Sequence, residues 1–562
     1  MMGLIQWSET HPYKASALSG LVLAFCHPFV SPGHSGPPHL PIVGALLALV
    51  AFVPYLAALE AAQKKRTIIV STYLCFGLQL GVSVYWLDVA IHRYGGLPHI
   101  VSVLAISAIA LITGTYLALA VLSGCWAAKR MKCSRALVLP FFWLVGDAIR
   151  GAWIYGYPLS GFPWAHVSAT QAENPWLRPL LSLGGIELLA LWVFAFNLVA
   201  LRTVQGRFNR RQIVLNLTIL VGVPALWSGA WHHHVNQAMT QAKTHQFGLI
   251  QGNLSQDLKN DLRNRGRYML NVQRRLSAEL AAQQPDAIIW SEVTYPFALN
   301  RDAPRLGARQ LGYGPGAPPP KLSLVGAMVG WEQSEGTCQA NDDCNRGESC
   351  RQGLCRNYLI HNSLVALDRD LQMLGRADKY HLVPFGEYVP GRSVLGLLGI
   401  DKLVPVAGRM RPAETIQPIE TPLGKIGGLI CYEGVFPVAS LRLVEQGASL
   451  LVNPTNDTWY GATSGPWQHL EFYRMRALET GRPILRVANS GISGWFDPLG
   501  RAYDLTALNE ESATIVNVNR AVVDTPYVRL GGAPSWFILA VAPFLLIFAR
   551  LRRRDPEATD KP

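Results

Sequence analysis

The chain has 562 residues, of which 50% are hydrophobic and 15% charged, with a formal net charge of +13. A soluble globular domain carries about 25% charged residues, so this composition excludes a chain that is soluble throughout. The positive charge does not mark a nucleic-acid binder. Its densest clusters are Lys64-Lys65-Arg66, Lys129-Arg130 with Lys132 and Arg135, Arg207 with Arg210-Arg211, and Arg550 with Arg552-Arg553-Arg554, and each stands beside an apolar run. Short basic loops of that kind mark the cytoplasmic side of a membrane.

A membrane span takes roughly 20 mostly apolar residues. In chain order such stretches fall at 14–31, 41–61, 67–87, 98–127, 136–157, 177–200, 213–231 and 534–549. The fourth is longer than a span requires, which predicts a tilted helix or an outward loop within it. The fifth contains Asp147 and Arg150, whose spacing of three puts them on one helix face, where they can pair. With the N-terminus inside, all four basic clusters become cytoplasmic and the long segment between the last two spans lies outside. No clear small-x-small cleavage site follows the first segment, so it is expected to remain as an anchor. The outward turns His27-Pro28-Phe29, Tyr94-Gly95-Gly96-Leu97-Pro98 and Gly161-Phe162-Pro163-Trp164 combine aromatic and turn-forming residues. Each suits an interfacial aromatic belt; together on one face they can form a floor where a lipid enters.

From about residue 245 the pattern changes to short apolar strands alternating with amphipathic helices. Strands are predicted at 245–251, 287–290, 322–330, 358–367, 414–419, 426–431, 448–453, 484–489 and 513–517, with a helix over 260–283. That alternation argues for an α/β architecture. The expected division is a membrane domain of about seven helices over 1–235, an α/β domain over 240–525 and a final span with a basic tail over 530–562.

Three polar residues stand at strand ends, where α/β folds present catalytic groups. Glu292 follows Ile288-Ile289-Trp290-Ser291, Cys431 closes Ile426-Gly427-Gly428-Leu429-Ile430, and Lys379 leads into the run 381–390. Singly, each has an ordinary explanation: a buried cysteine packs as a small hydrophobe, and a glutamate or lysine is solvated. Together they form a chemical set. A thiol needs a base and a nearby cation to become a nucleophile. Glu292 can take the proton, Lys379 can stabilise the oxyanion, and Glu387 and Glu433 can orient the lysine. No metal motif or phosphate-binding loop accompanies them, and no cofactor is expected.

The surrounding text is more specific. HLVPFGEYVP at 381–390, ICYE at 430–433, NDTWYG at 456–461, GPWQHL at 465–470, and RMRALE at 474–479 with GRP at 481–483 resemble the apolipoprotein N-acyltransferases, the membrane-embedded branch of the nitrilase superfamily. GFPW at 161–164 and the arrangement of spans follow the same plan. The resemblance implies a multi-span helical membrane domain plus a nitrilase-like α-β-β-α sandwich facing the periplasm from the bacterial inner membrane. It implies a Glu292–Lys379–Cys431 triad supported by Glu387, Glu433 and Tyr432. It further implies a phosphatidylethanolamine-like acyl donor and the α-amine of a lipoprotein's diacylglyceryl-cysteine as acceptor. Trp290, Phe385, Trp459 and Trp164 are expected to contact lipid or substrate, and the chain is expected to act as a monomer. A membrane-tethered amidase is the alternative, and a non-catalytic envelope scaffold is a third reading.

Some residues depart from the family's pattern. Ser255 and Asn260 stand where Pro and, in some members, Trp are found; Tyr460 replaces Phe and Asp147 replaces Glu. The largest departure is an insertion at 336–356 with Cys338, Cys344, Cys350 and Cys355. On the outer side of a membrane, two disulfides are expected there, with three connectivities open; the spacing lacks the CxxC pairs of a zinc site. Cys26, Cys75, Cys125 and Cys133 are expected to be inert. The segment 312–320, rich in Gly and Pro, reads as an irregular loop that can serve as a lid.

Overall fold

The computed structural model describes residues 2–552 except 32, 34–35, 39–40, 152–160, 256–261, 302–310, 312–318, 341–348, 352–353 and 390–409. Asn260, Cys344, most of the 312–320 segment and the end of the fifth expected span therefore lie outside the described residues.

Where the solvent is hydrocarbon, every backbone polar group must be satisfied within its own segment, so the apolar runs fold as helices. Among the described residues five helices are long and apolar enough to cross a membrane: Pro41–Ala61, His99–Met131, Leu180–Val204, Arg210–Gln241 and Ala533–Leu551. The helices Pro12–Cys26, Lys65–Ser83 and Arg135–Gly151 coincide with the other three expected spans, but fall short of the same measure in length or apolarity. The chain is a membrane protein. The fourth expected span is one continuous helix of 33 residues, about 50 Å long against a hydrocarbon core of about 30 Å. It stops where Lys132 turns left-handed and its N–H caps Ala128 and Lys129. Asp147 and Arg150 do pair, Nε to Oδ1 at 2.6 Å, with both side chains buried.

Two sheets build the second half. The strands are β1 (Thr244–Gln251), β2 (Ala287–Trp290), β3 (Tyr295–Asn300), β4 (Leu322–Thr337), β5 (Ser349–Arg351), β6 (Leu354–Asp368), β7 (Met373–Asp378), β8 (Ile426–Gly428), β9 (Leu450–Thr455), β10 (Ile484–Ala488), β11 (Gly494–Phe496), β12 (Ala502–Tyr503) and β13 (Ser512–Asn519). One sheet runs β13-β1-β2-β4-β6-β5, with β3 beside β4 and β7 beside β6; the other runs β12-β11-β10-β9-β8. β1, β2 and β4 are parallel neighbours, as are β8, β9 and β10, and parallel strands need burial on both faces. Between the sheets Phe247, Leu249, Ile289 and Leu324 meet Ile426, Val452, Leu485 and Val487. Leu276 and Leu280 of the helix Leu262–Ala281 cover the outer face of the first sheet at Ile288 and Val325. Leu443 of Pro437–Glu445 and Tyr473 and Ala477 of Ser464–Thr480 cover the second at Leu451 and Ile484. The result is the nitrilase-like α-β-β-α sandwich.

Two strand predictions need correction. Residues 414–419 contribute a single bridge, Ile419 to Ile426, because Pro418 has no N–H to offer a ladder. The predicted strands 322–330 and 358–367 are instead one long hairpin, since the cysteine insertion extends both and adds β5, with Cys350 opposite Cys355. Cys338 is bonded to Cys350, and Cys355 is also disulfide-bonded. Cys26, Cys75, Cys125 and Cys133 remain free thiols.

Turns of the helical part dock directly on the sandwich. Val30 N–H donates to Ser464 Oγ at 2.7 Å, Gln468 Nε2 donates to the Pro28 and Ser83 carbonyls, and Trp86 Nε1 donates to Gln468 Oε1 at 3.1 Å. These contacts fix the helix Ser464–Thr480 of the sandwich against the helical part.

Candidate active site

The three residues singled out at strand ends come together. Glu292 leaves β2 with only 5% of its surface exposed. Its Oε1 accepts from Lys379 Nζ at 3.2 Å and from Asn362 Nδ2 at 2.8 Å. Lys379 Nζ also donates to Glu387 Oε1 at 2.8 Å. A buried lysine between two carboxylates stays charged: burial works against the ammonium, but Glu387 and Glu292 outweigh it and hold its pKa well above the ordinary value. Glu387 is itself fixed, because its Oε2 accepts the Val383 N–H at 2.9 Å across the turn of the HLVPFGE run.

Cys431 lies close enough to Glu292 and Lys379 for their charges to act on it. Burial, reinforced by the Glu292 carboxylate, pushes its thiol up to about 12, while Lys379 and a hydrogen bond with Thr455 pull the other way. The resting Cys431 side chain is thus a protonated thiol.

Backbone strain concentrates at the same point. Val293, Phe385 and Cys431 have φ of 50°, 60° and 50°, a left-handed conformation that costs a non-glycine residue about 1–3 kcal/mol. Each is held by its surroundings. The bend after β2 is pressed against β4 at Gly326, where a Cβ would fall 2.2 Å from the Ser291 carbonyl oxygen. The turn at Cys431 is stapled by Glu433, whose Oε2 accepts from Ile430 N–H at 2.7 Å and whose Oε1 accepts from Tyr380 and His381 N–H. Burial raises the Glu433 pKa to about 7 in spite of those three donors.

Tyr432, the next residue, donates its hydroxyl to the Gly161 carbonyl in the GFPW turn. That turn is held in its place by Arg150, which donates to the Phe162 and Trp164 carbonyls at 2.7 and 2.8 Å. Trp164 is buried among Trp86, Tyr460, His469 and Phe472.

Two domain families match the chain. The apolipoprotein N-acyltransferase N-terminal domain matches residues 37–199, and carbon-nitrogen hydrolase matches residues 350–527. An apolipoprotein N-acyltransferase of Geobacter metallireducens is 30% identical over 551 residues, covering 96% of each chain. The chain belongs to the apolipoprotein N-acyltransferase family. Proteins of the same name from Allorhizobium ampelinum and Haemophilus influenzae are 31% and 28% identical, the first over 71% of each chain, the second over 91% of this chain and 94% of its own.

Within this N-acyltransferase the four expected lipid contacts separate. Phe385 and Trp459 are 51% and 39% exposed, and Trp459 meets Tyr94 edge to face. Trp164 is buried in the aromatic cluster described above. Trp290 does not face lipid: it is fully buried beneath the helix Leu262–Ala281, with its indole N–H on Ser277 Oγ at 3.0 Å. A strand residue next to the triad need not point toward it, since alternate side chains take opposite faces. A half-open cleft of about 720 Å³ between Trp331, His361, Arg376 and Arg411 reaches Glu433 from behind. Its lining includes neither Cys431 nor Glu292.

Sequence reading missed Asn362, which joins Glu292 to Glu387 through one amide at 2.8 and 3.2 Å. It sits inside β6 with no neighbouring motif to signal it. Asp457 and His469 fall within NDTWYG and GPWQHL, yet their position behind Cys431 follows only from the fold.

Proposed function

We propose that Cys431 is the nucleophile of a two-step acyl transfer, with Glu292 as its base and Lys379 as its oxyanion partner. The chain is an N-acyltransferase acting in lipoprotein maturation. The observation that carries the residue assignment is the closed chain Glu292–Lys379–Glu387 beside a strained, protonated Cys431. In the first step Glu292 takes the thiol proton as Sγ attacks the ester carbonyl of a phospholipid, phosphatidylethanolamine-like in its headgroup. The oxyanion forms next to the Lys379 ammonium. The C–O bond breaks, and the proton on Glu292 passes to the departing lysophospholipid oxygen. In the second step the neutral α-amine of a diacylglyceryl-cysteine attacks the thioester. Glu292 takes the amine proton, the C–S bond breaks, and that proton returns the thiol to Cys431.

Both substrates are lipids, and lifting an acyl chain out of the bilayer costs about 0.8 kcal/mol per CH₂. A site whose nucleophile is followed by a tyrosine hooked onto the membrane half avoids most of that cost. Exposed Phe385 and Trp459 flank the mouth as lipid contacts. The basic clusters support an orientation with the catalytic domain on the outer face of the inner membrane, and the Cys338–Cys350 disulfide suits an oxidising compartment.

The test is transfer to a synthetic diacylglyceryl-cysteine peptide at varied concentrations of both lipids. Parallel double-reciprocal lines and a triacylated peptide are expected. Free fatty acid with no acylated peptide would replace transfer with hydrolysis.

A further inference from the structure

Behind the nucleophile lies a buried ring of hydrogen bonds that the two steps above do not use. The Cys431 carbonyl accepts from the Tyr473 hydroxyl and lies 3.4 Å from Asn453 Nδ2 and 3.3 Å from His469 Nε2. His469 Nδ1 faces Asp457 Oδ1 at 2.9 Å. Arg486 closes the ring from the far side: one guanidinium nitrogen bonds Asp457 Oδ2, and the other donates to Asn453 Oδ1 at 2.6 Å. His469, Asn453, Tyr473 and Arg486 are fully buried and Asp457 almost so.

The layout has a direction. Arg486 is anchored by Nε on the Ile492 carbonyl at 3.1 Å, and its two arms reach the Cys431 carbonyl by separate routes, through Asn453 and through Asp457–His469. That carbonyl belongs to the residue whose left-handed φ aims Sγ. Releasing it lets the peptide relax toward an ordinary conformation and swings the thiol away from Glu292 and Lys379.

We propose that Asp457 and His469 are positioning residues for the acyl transfer, holding the Cys431 backbone through its carbonyl by a donor at His469 Nε2. Nε2 faces the Cys431 carbonyl, while Nδ1 lies 2.9 Å from Asp457 Oδ1 and 3.2 Å from an Arg486 guanidinium nitrogen. Burial and the Arg486 guanidinium outweigh the Asp457 carboxylate and lower the ring's pKa, so the ring is neutral, with its proton on Nε2 facing the Cys431 carbonyl and Nδ1 accepting from Arg486. Asp457 is available as a carboxylate because Arg486 and His469 outweigh burial and bring it down to about 2. The inference rests on Cys431 being the nucleophile.

Two amide substitutions separate the nitrogens. In His469→Gln the side-chain amide nitrogen takes about the place of Nε2, so a donor to Cys431 survives. In His469→Asn it takes about the place of Nδ1, so the contact to Asp457 survives and the donor to Cys431 is lost. Formation of the acyl-enzyme from phosphatidylethanolamine in detergent is followed by quenched intact mass in the full-length protein. A misplacement of the reacting atom costs on the order of 10²-fold, so His469→Asn is expected to lose that much in rate at saturating lipid. His469→Gln is expected to stay within about tenfold of the parent. The half-saturating lipid concentration and the final acylated fraction should be unchanged in both. A merely structural role gives equal losses, or a reduced acylated fraction, and either result overturns the proposal. Should both variants fail to fold, the isosteric Asp457→Asn carries the test: a fall on the order of tenfold in rate at unchanged half-saturation supports it, and an unchanged rate overturns it. Cys431→Ala run alongside keeps the two readings apart. An adduct that persists in Cys431→Ala removes the nucleophile assignment; an adduct confined to the parent, with no difference between Asn and Gln, removes only this inference.

Discussion

Replacing Glu292 with glutamine keeps the size and the Asn362 contact while removing the base. With the thiol near 12, about 3 in 100,000 Cys431 side chains are thiolate at pH 7.5. An unassisted attack has to draw on that fraction, whereas a base in contact takes the proton as the bond forms. General base catalysis of this kind contributes about 10²–10⁴-fold, or about 3–5 kcal/mol of barrier. The Glu292 charge is itself one reason the thiol is high, so its removal returns part of the loss and favours the lower end of that range. Quenched intact-mass measurement of acyl-enzyme formation gives the rate directly. The variant should be slower by about 10²–10⁴-fold, and its residual rate should climb about tenfold per pH unit from 7 to 9.5, as thiolate becomes the limiting species. Its melting transition should stay close to the parent's. A glutamine variant acylated at the parental rate, or a loss that does not recover as pH rises, would refute the assignment of Glu292 as base.

Gly326→Ala places a Cβ 2.2 Å from the Ser291 carbonyl oxygen and 2.9 Å from Glu292 Cα; overpacking of this kind costs about 1–3 kcal/mol, and thermal melting together with loss of acyl-enzyme should register it. Arg150→Met leaves Asp147 buried without its partner and frees the Phe162 and Trp164 carbonyls. Breaking a buried pair from one side costs about 3–5 kcal/mol, so the detergent-solubilised protein should melt earlier and the Tyr432–Gly161 contact should fail with it. The low pKa of Asp457 sets an acid limit: its folded value of about 2 lies below the ordinary 3.8. The stability it supplies is present above pH 3.8 and is lost as pH falls through about 2, to a total of about 2 kcal/mol. Asp457→Asn should flatten that part of a stability–pH curve measured by urea unfolding, and an unchanged curve would contradict it.

Much of this was legible in the chain because the strongest signals are local. Apolar runs fix helices in hydrocarbon, and Glu292, Lys379 and Cys431 each sit beside a run that reads as a strand or a tight turn. The Asp147–Arg150 pair needed only helical spacing. What escaped was set by tertiary packing. Trp290 reads as a triad neighbour, yet β2 buries it against Ser277; Asn362 lies in mid-strand, where sequence cannot say which face meets the glutamates. The left-handed φ of Cys431 is held by Glu433 within ICYE and by contacts to its carbonyl from β9 and the helix Ser464–Thr480, and the second set leaves no trace in the text around ICYE. The strand predicted at 414–419 shrinks to one bridge because Pro418 has no N–H to continue a ladder. The cysteine insertion announced a disulfide, but its extension of the β4–β6 hairpin depends on pairing across the insertion itself.

The central claim is a covalent acyl-enzyme on Cys431, and the intact mass of the purified protein after incubation with phosphatidylethanolamine tests it most directly. The expected result is an added acyl mass that hydroxylamine removes and that is absent from Cys431→Ala. A folded protein with accessible lipid and no adduct, or an adduct of equal yield in Cys431→Ala, would contradict the claim.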